Sequence, residues 1–354
     1  MKTTILALAT LLWLSIGALA QEKPDSTSTI VEHDSAAVAS LRDKATNGDP
    51  SSQRELGLMY SRGDGVHKDL KQALVWLRMA SKQGDAPAQD ALGDAYAHGK
   101  GVAPNDAQAV FWYRKAAEQG FALAQFELAV AYSQGRGVAK DDKQAVKWLR
   151  LAADQGKGYA ESGLGAMYER GRGVPQDDAQ AVLWYRKGAE HGFPYAQNRL
   201  GEMYQSGHGV SQDDALAAAW FGKAAEQGDA VAQFNLGTMY ALGRGVKKDD
   251  TQALSWLRKA AAQGSSDAEC SLGDLYADGR GVAKDSAQAV GWYLKAAEHG
   301  QPVAQFHLAE HYENGDGISK DKGKALEWYR KAAELGLNEA KSSLTRLKSS
   351  VSGN

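Results

Sequence analysis

The sequence predicts an all-α solenoid of about eight 36-residue helix-turn-helix repeats, with a capping helix at each end. Three observations predict it. The stretch from Ser52 to Gly84 reappears every thirty-six residues, as far as Ala304 to Gly336, without one insertion. Tyr60 returns as Tyr96, Tyr132, Tyr168, Tyr204, Tyr240, Tyr276 and Tyr312. Trp76 returns as Trp112, Trp148, Trp184, Trp220, Trp256, Trp292 and Trp328, and of the nine tryptophans only Trp13 stands outside the series. A fixed period of this size marks an array whose repeats stack on their neighbours and need no central core.

Residues 1–20 read as a secretory signal peptide. Lys2 gives a basic end, Ile5 to Leu14 an apolar run, and Ala18-Leu19-Ala20 a small-x-small cleavage pattern. The run falls short of the about 20 apolar residues that span a bilayer. The mature chain is therefore expected to be exported, periplasmic or secreted, with no membrane span. Residues 21–35 are polar and read as a flexible leader. From Ala36 to Gly48 runs a half-repeat with Ser40 at the indole position, an atypical N-terminal cap.

Each repeat then reads as two helices. In the first, Ser52, Leu56 and Tyr60 recur at i, i+4 and i+8, an apolar stripe. Gly57 lies on that stripe and costs about 1 kcal/mol against alanine. Glycine nevertheless holds the place in six of the eight repeats, with Ala129 and Ala309 in the others, which points to a close helix approach. Gly63 and Gly65 mark the turn, with Val66 as an apolar plug. Asp69 with Gln72 reads as a capping box for the second helix, repeated with that glutamine in all but the repeats of Asp213 and Asp321. Ala73, Trp76, Leu77 and Ala80 form the second buried stripe, in which the indoles are expected to be the main cohesive term. Asn338 to Lys348 reads as a C-terminal capping helix, so that the solenoid spans 36–348 and 349–354 form a disordered tail.

The 43 acidic and 41 basic residues give a net charge of −2 and interleave along the chain, which provides no field for nucleic acid. Cys270 is alone, so no disulfide within one chain is available, and it reads as a small residue tolerated on a helix.

The pattern L-G-x-x-Y-x-x-G-x-G-V-x-x-D followed by A-x-x-W-[LY]-x-x-A-x-x-x-G closely resembles the Sel1-like repeat family. Leu164, Gly165, Tyr168, Gly171, Gly173, Val174, Asp177, Ala181, Trp184, Tyr185 and Gly192 carry it in one repeat. The resemblance implies a right-handed superhelix, similar to tetratricopeptide repeats, with the first helices lining the concave side. It implies an adaptor that binds a protein or peptide partner. A cysteine-rich branch of that family is associated with β-lactams; this chain lacks its cysteines, and that property is not carried over.

Residues repeated in every unit serve the scaffold, so a ligand is expected where the repeats disagree on the first-helix face. One such position reads Arg54, Asp90, Phe126, Ser162, Asn198, Phe234, Cys270, Phe306, and the next turn reads Leu58, Asp94, Val130, Ala166, Glu202, Thr238, Asp274, Glu310. Candidate binding residues are Arg54, Asp94, Phe126, Val130, Glu202, Phe234, Leu242 and Phe306. The competing interpretation is that the phenylalanines pack against neighbouring repeats. Gln89, Gln125, Gln197, Gln233 and Gln305 read as exposed helix filler, and the Arg78 series as surface-pairing residues, with Glu118, Glu190 and Glu334 four residues on from theirs.

His307-Leu-Ala-Glu-His311 matches the H-x-x-E-H zinc-peptidase pattern, but His311 fills a site that is Met59, Ala95, Ala131, Met167, Met203, Met239 and Leu275 elsewhere, and no third ligand follows. No G-x-S-x-G, phosphate loop or C-x-x-C occurs. The function expected is a non-enzymatic scaffold without catalytic residues, cofactor or metal. The alternatives are an envelope hydrolase acting on peptidoglycan or β-lactams, and a carbohydrate-binding periplasmic module. Nothing in the sequence sets the oligomeric state.

Overall fold

The computed structural model describes residues 36–352. The expected signal peptide (1–20) and leader (21–35) lie outside them. Among the described residues are eighteen helices and no strand. The chain divides into two compact units, one reaching Ala196 and the other starting at Gln197. The first holds α1 (Ala36–Thr46), α2 (Pro50–Arg62), α3 (Leu70–Lys82), α4 (Ala86–His98), α5 (Asp106–Glu118), α6 (Ala122–Gln134), α7 (Asp142–Ala153), α8 (Gly158–Arg170) and α9 (Asp178–Glu190). The second holds α11 (Asp214–Glu226), α12 (Ala230–Leu242), α13 (Asp250–Ala262), α14 (Ser266–Asp278), α15 (Ser286–Glu298), α16 (Pro302–Asn314), α17 (Lys322–Glu334) and α18 (Asn338–Ser352). The boundary falls within α10 (Pro194–Ser206). Within each unit a helix packs on its neighbours in sequence, most broadly on its partner in the same repeat. The last helix runs to Ser352, past the end expected at Lys348, because Leu347 is buried and Ser349 Oγ donates to Thr345 O at 3.1 Å.

The second helices start as expected but for a different reason. Asp69 Oδ1 accepts from the amides of Lys71 and Gln72. The reciprocal half of a capping box is absent, since the Asp69 amide already donates to Tyr60 O at 2.9 Å. The same bond joins every later cap to the repeated tyrosine, through Asp213 to Tyr204 and Asp321 to Tyr312. The two repeats without the glutamine therefore cap just as well.

The expected order of cohesion is corrected in a similar way. Only Trp148 and Trp184 are buried; the other six repeat indoles are half-buried. The deeper position is the next residue: Leu77, Tyr113, Leu149, Tyr185, Phe221, Leu257, Tyr293 and Tyr329 are all buried. With Ala73, Leu74, Ala80 and Ser81 these residues centre the stripe one residue, about 100°, beyond the tryptophan. The indole covers its edge, and a lysine three residues on lies over it, as Lys223 over Trp220 at 3.8 Å and Lys259 over Trp256 at 3.7 Å. The small residue of the first helix makes room for this deeper side chain. A Cβ on Gly93 would stand 2.6 Å from Tyr113, and one on Gly201 2.7 Å from Phe221.

The loop glycines do two jobs. Gly135 and Gly137 have φ of +72° and +66°, where a side chain is strained. Gly137 also lies on the preceding repeat, where a Cβ would meet Asp106 O at 2.2 Å. Arg136 between them reaches Asp106 at 3.1 Å, and Arg172–Asp142, Arg244–Asp214 and Arg280–Asp250 repeat that link.

Two more ladders join repeats. Arg78 Nη2 donates to Tyr96 Oη at 3.2 Å, and Arg114, Arg150 and Arg258 do the same for Tyr132, Tyr168 and Tyr276. These arginines thus bond the next repeat's tyrosine, Arg114 among them in place of the expected Glu118. The glutamines taken for surface filler are buried. Gln89 Nε2 donates to Ser81 O at 3.1 Å while its Oε1 accepts from Gln119 at 2.8 Å. The capping half-repeat joins both ladders, through Arg42 to Tyr60 and Gln53 to Ala45 O.

Candidate functional site

The first-helix positions that vary between repeats have different fates. Arg54 Nη1 bonds Asp85 Oδ2 at 2.5 Å, and Asp85 caps α4 through Ala88 N. Phe126 is 3 % exposed and stands edge-on to Tyr159 of the next repeat, ring centroids 5.0 Å apart. Phe306 is half-buried against Tyr329 at 5.5 Å, and Phe234 is half-buried on the core of the second unit. Glu202 accepts from Asn198 at 2.9 Å and from Arg199. Leu242 is 59 % exposed at the end of α12. Phe126 thus packs against the neighbouring repeat and Phe306 against the second helix of its own, and Leu242 is the one apolar candidate that projects into solvent.

Asp94 and Val130 belong to a polar cluster in the first compact unit. A small cleft of about 60 Å³ lies among the C-terminal end of α4, α5 and α6. His98, Tyr113, Glu127, Val130 and Arg136 help line it. Asp90, Asp94 and His98 follow one stripe of α4, each four residues from the last. Asp94 holds His98 Nδ1 at 2.8 Å and Lys100 Nζ at 2.6 Å. Lys100 is free to do so because the helix start it would otherwise meet carries Leu70, where the next five repeats have aspartate. Arg136 is engaged by Asp106. The cations around the cleft are therefore paired already.

Two carboxylates are left without one. Asp90 is 8 % exposed, and its Oδ1 is buried with no hydrogen-bond partner. Burial, reinforced by Glu127 and Asp94, holds its carboxyl well above the usual range. Glu127 is pushed up to about 7, first by burial and then by Asp94. For Asp94 burial works upward, but the bonds from His98 and Lys100 prevail and leave it lowered. His98 is raised by its bond to Asp94. Tyr159 is pushed up to about 12 by burial and then by the charges of Asp90 and Glu127. The hydroxyls of Tyr185, Tyr293 and Tyr329 donate to Glu169, Asp274 and Glu313; among the described residues Tyr113 has no such carboxylate partner. Sequence reasoning reached Asp94 and Val130 but missed Asp90, Glu127, Tyr113 and Tyr159. The available signal was charge: Asp90 and Asp94 put two acids at adjacent turns of one varied stripe.

The histidine pair of α16 is differently occupied. Both rings pack on Tyr293, centroids 5.2 and 5.5 Å away. His307 Nδ1 faces Glu310 at 3.1 Å and His311 Nδ1 faces Asp316 O at 2.8 Å. Among the described residues no three His, Cys, Asp or Glu side chains stand where they could share a metal ion. One S-x-x-K tetrad, Ser319 to Lys322, lies at a loop with both end residues exposed, and no helical turn brings lysine beside serine. Cys270 is buried and its thiol is pushed up to about 12, chiefly by burial, which makes it a poor nucleophile. No helix among the described residues is long and apolar enough to cross a membrane.

The profile of the Sel1 repeat matches eight times without a gap: residues 50–85, 86–121, 122–157, 158–193, 194–229, 230–265, 266–301 and 302–337. Among solved structures, a protective antigen present in uropathogenic Escherichia coli strains, displaying an SLR fold, is similar at 42% identity and a TM-score of 0.80. That match covers 86% of this chain and 66% of the antigen, so the chain spans just under two thirds of that relative's length. A Sel1 repeat protein from Oxalobacter formigenes is similar at 33% identity and a TM-score of 0.64, over 94% of this chain and 99% of that one. No curated protein matches. No enzyme family is indicated by these likenesses.

Proposed function

Because the chain belongs to the Sel1 repeat family, an all-α solenoid whose members typically mediate protein–protein interaction, we propose that it is an exported, non-enzymatic scaffold. In this reading it binds a protein or peptide through the first-helix faces of its repeats. One observation carries the proposal. The repeated residues are consumed by the ladders, caps and core between helices, while the positions from Asp90 to Asp94 to His98 change chemistry from repeat to repeat. A surface that varies on an invariant frame suits recognition. Export rests on the leader-like residues 1–20, and the likeness to a protein described as a protective antigen fits it.

Site-specific photo-crosslinking tests the binding face. A crosslinker replacing Val130 or Leu242 is expected to capture a partner from the native envelope or culture fluid, and one at Leu183, exposed on α9, to capture none. Adducts from Leu183 alone would overturn the first-helix assignment. N-terminal sequencing tests export: a mature chain that begins after Ala20 supports it, and an intact Met1 in the cytosol removes it.

A further inference from the structure

We propose that the outer face of α3, α5 and α7 seats the protein on an anionic lipid surface. These side chains stand on the second helices, so the proposal goes beyond the first-helix reading and does not rest on it.

The face is built of two rows. α3, α5 and α7 are the second helices of consecutive repeats in the first unit, joined by the same arginine–tyrosine ladder. Positions thirty-six residues apart therefore fall on one side of the stack. One row reads Val75, Phe111, Lys147, and the other, one turn on, reads Met79, Lys115, Leu151. All six are exposed, the four apolar ones by 40–47 %. The fold does not need apolar groups there. In the second unit the same rows read Ala219, Ser255, Gly291, Glu327 and Lys223, Lys259, Lys295, Lys331. Its exposed second-helix leucines, Leu216 and Leu294, hold other positions, one to a helix. Met79 and Leu151 even replace the lysine that elsewhere lies over the indole. Apolar groups gathered in water without a role in the core mark an interaction surface.

Charge selects the occupant. Among the exposed residues of these three helices seven are lysine or arginine, and one, Glu118, is acidic. Arg78 and Arg150 each donate to a tyrosine hydroxyl, and among the described residues none of the seven is paired with a carboxylate. A second copy docked face to face would set these cations against their own kind, so the complementary partner is anionic. The apolar groups stand on separate helices with cations between them. A bilayer surface meets that pattern without matched pockets, because it yields around each protruding group. Valine, methionine, phenylalanine and leucine side chains enter the headgroup boundary, while the lysine and arginine heads stay at the anionic phosphates. The whole chain has a net charge of −2, so the attraction is local to this face and is screened by salt.

Vesicle flotation tests the proposal with the chain from Gln21 onward, which keeps every described residue and lacks the apolar run from Ile5 to Leu14. The vesicles hold phosphatidylcholine alone, or phosphatidylcholine and phosphatidylglycerol in equal parts. The bound fraction is expected to be at least about fivefold higher on the anionic vesicles and to fall as salt rises. Val75→Ser with Phe111→Ser is expected to remove most of that binding, and so, separately, is Lys82→Gln with Lys115→Gln and Lys147→Gln. Lys223→Gln with Lys259→Gln and Lys295→Gln, an equal loss of charge on the second unit, is expected to leave it. All three sets change exposed side chains and are expected to melt with the parent. Equal flotation with both vesicles, flotation with neither, binding that survives either first-unit set, or an equal loss in the second-unit set would each overturn the proposal. Flotation with neither, joined to protein adducts from a crosslinker at Phe111, would give the face to an acidic protein instead.

Discussion

His191 Nδ1 stands 2.6 Å from Glu161 Oε2, where other repeats pair two glutamines thirty residues apart. The Gln–Gln bond occurs at 53/83, 89/119, 125/155, 197/227 and 233/263, and Glu269 with His299 is the second exchange, at 2.7 Å. In both forms the first partner is buried and the second donates to it or faces it from the far end of the same repeat. Changing one partner alone should therefore be costly and changing both should not. Gln89→Glu is expected to destabilise by about 1–3 kcal/mol, since an oxygen then replaces the buried Nε2 that donates to Ser81 O, and the new carboxylate has only the neutral Gln119 amide as partner. Adding Gln119→His should recover most of that loss. A double-mutant cycle in urea unfolding measures the coupling, and strictly additive effects would show that the pair is not a unit.

The eighth member of this series is broken. Gln305 still donates to Ala297 O at 3.2 Å, but position 335 is a leucine, 56 % exposed, and Gln305 Oε1 is buried without a partner. Leu335→Gln should restore the bond and remove an exposed apolar side chain. A gain of about 0.5–1.5 kcal/mol in urea unfolding is expected; no gain would mean that the orphaned oxygen is satisfied by water.

Glycines with different surroundings should respond in opposite directions. Gly291 lies within α15 with open space where an alanine methyl would stand, so Gly291→Ala should stabilise by about 0.5–1 kcal/mol. Gly137→Ala combines a left-handed backbone with a collision against Asp106 O. The backbone alone costs about 1–3 kcal/mol, and thermal melts of the two variants should shift to either side of the parent.

The acidic cluster predicts a dependence on pH. Glu127 in the fold titrates near 7, above the about 4.3 of an unfolded glutamate. A raised carboxyl binds its proton more readily in the folded chain, so its contribution is complete below the unfolded value and is lost as pH rises toward 7. Asp90, raised for the same reason, acts in the same direction. Raising the pH from about 5 to about 8 should therefore lower the urea midpoint, by a free energy on the order of 1–3 kcal/mol. Glu127→Gln should shrink that fall. A fall of equal size in the variant would assign it to other groups.

The fold was legible because its signals recur. Tyr60, Gly63, Gly65, Asp69 and Trp76 keep one register, and the helices, turns and caps follow from it. What stayed hidden depends on contacts between different helices. Gln89 reads as polar filler because nothing in its own helix reveals that Ser81 O and Gln119 lie beside it. Trp76 draws the eye by its size, yet Leu77 points further inward, because a single residue rotates the helix by about 100°. The cluster escaped for the same reason. Glu127 stands one residue beyond the varied stripe, and only stacking of α6 on its neighbours brings its charge to bear on Asp90.

The second loop glycine carries a consequence for heredity. Gly137 rests on the first turn of α5, Gly173 on that of α7 and Gly245 on that of α11, each through the backbone of its predecessor. Such a socket accepts any repeat of the same length, whatever varied side chains it bears. Recombination between two copies of the 36-residue coding segment would lengthen or shorten the array by whole repeats and leave every junction intact. New combinations of recognition residues could then arise by shuffling, before any point mutation has to be tolerated.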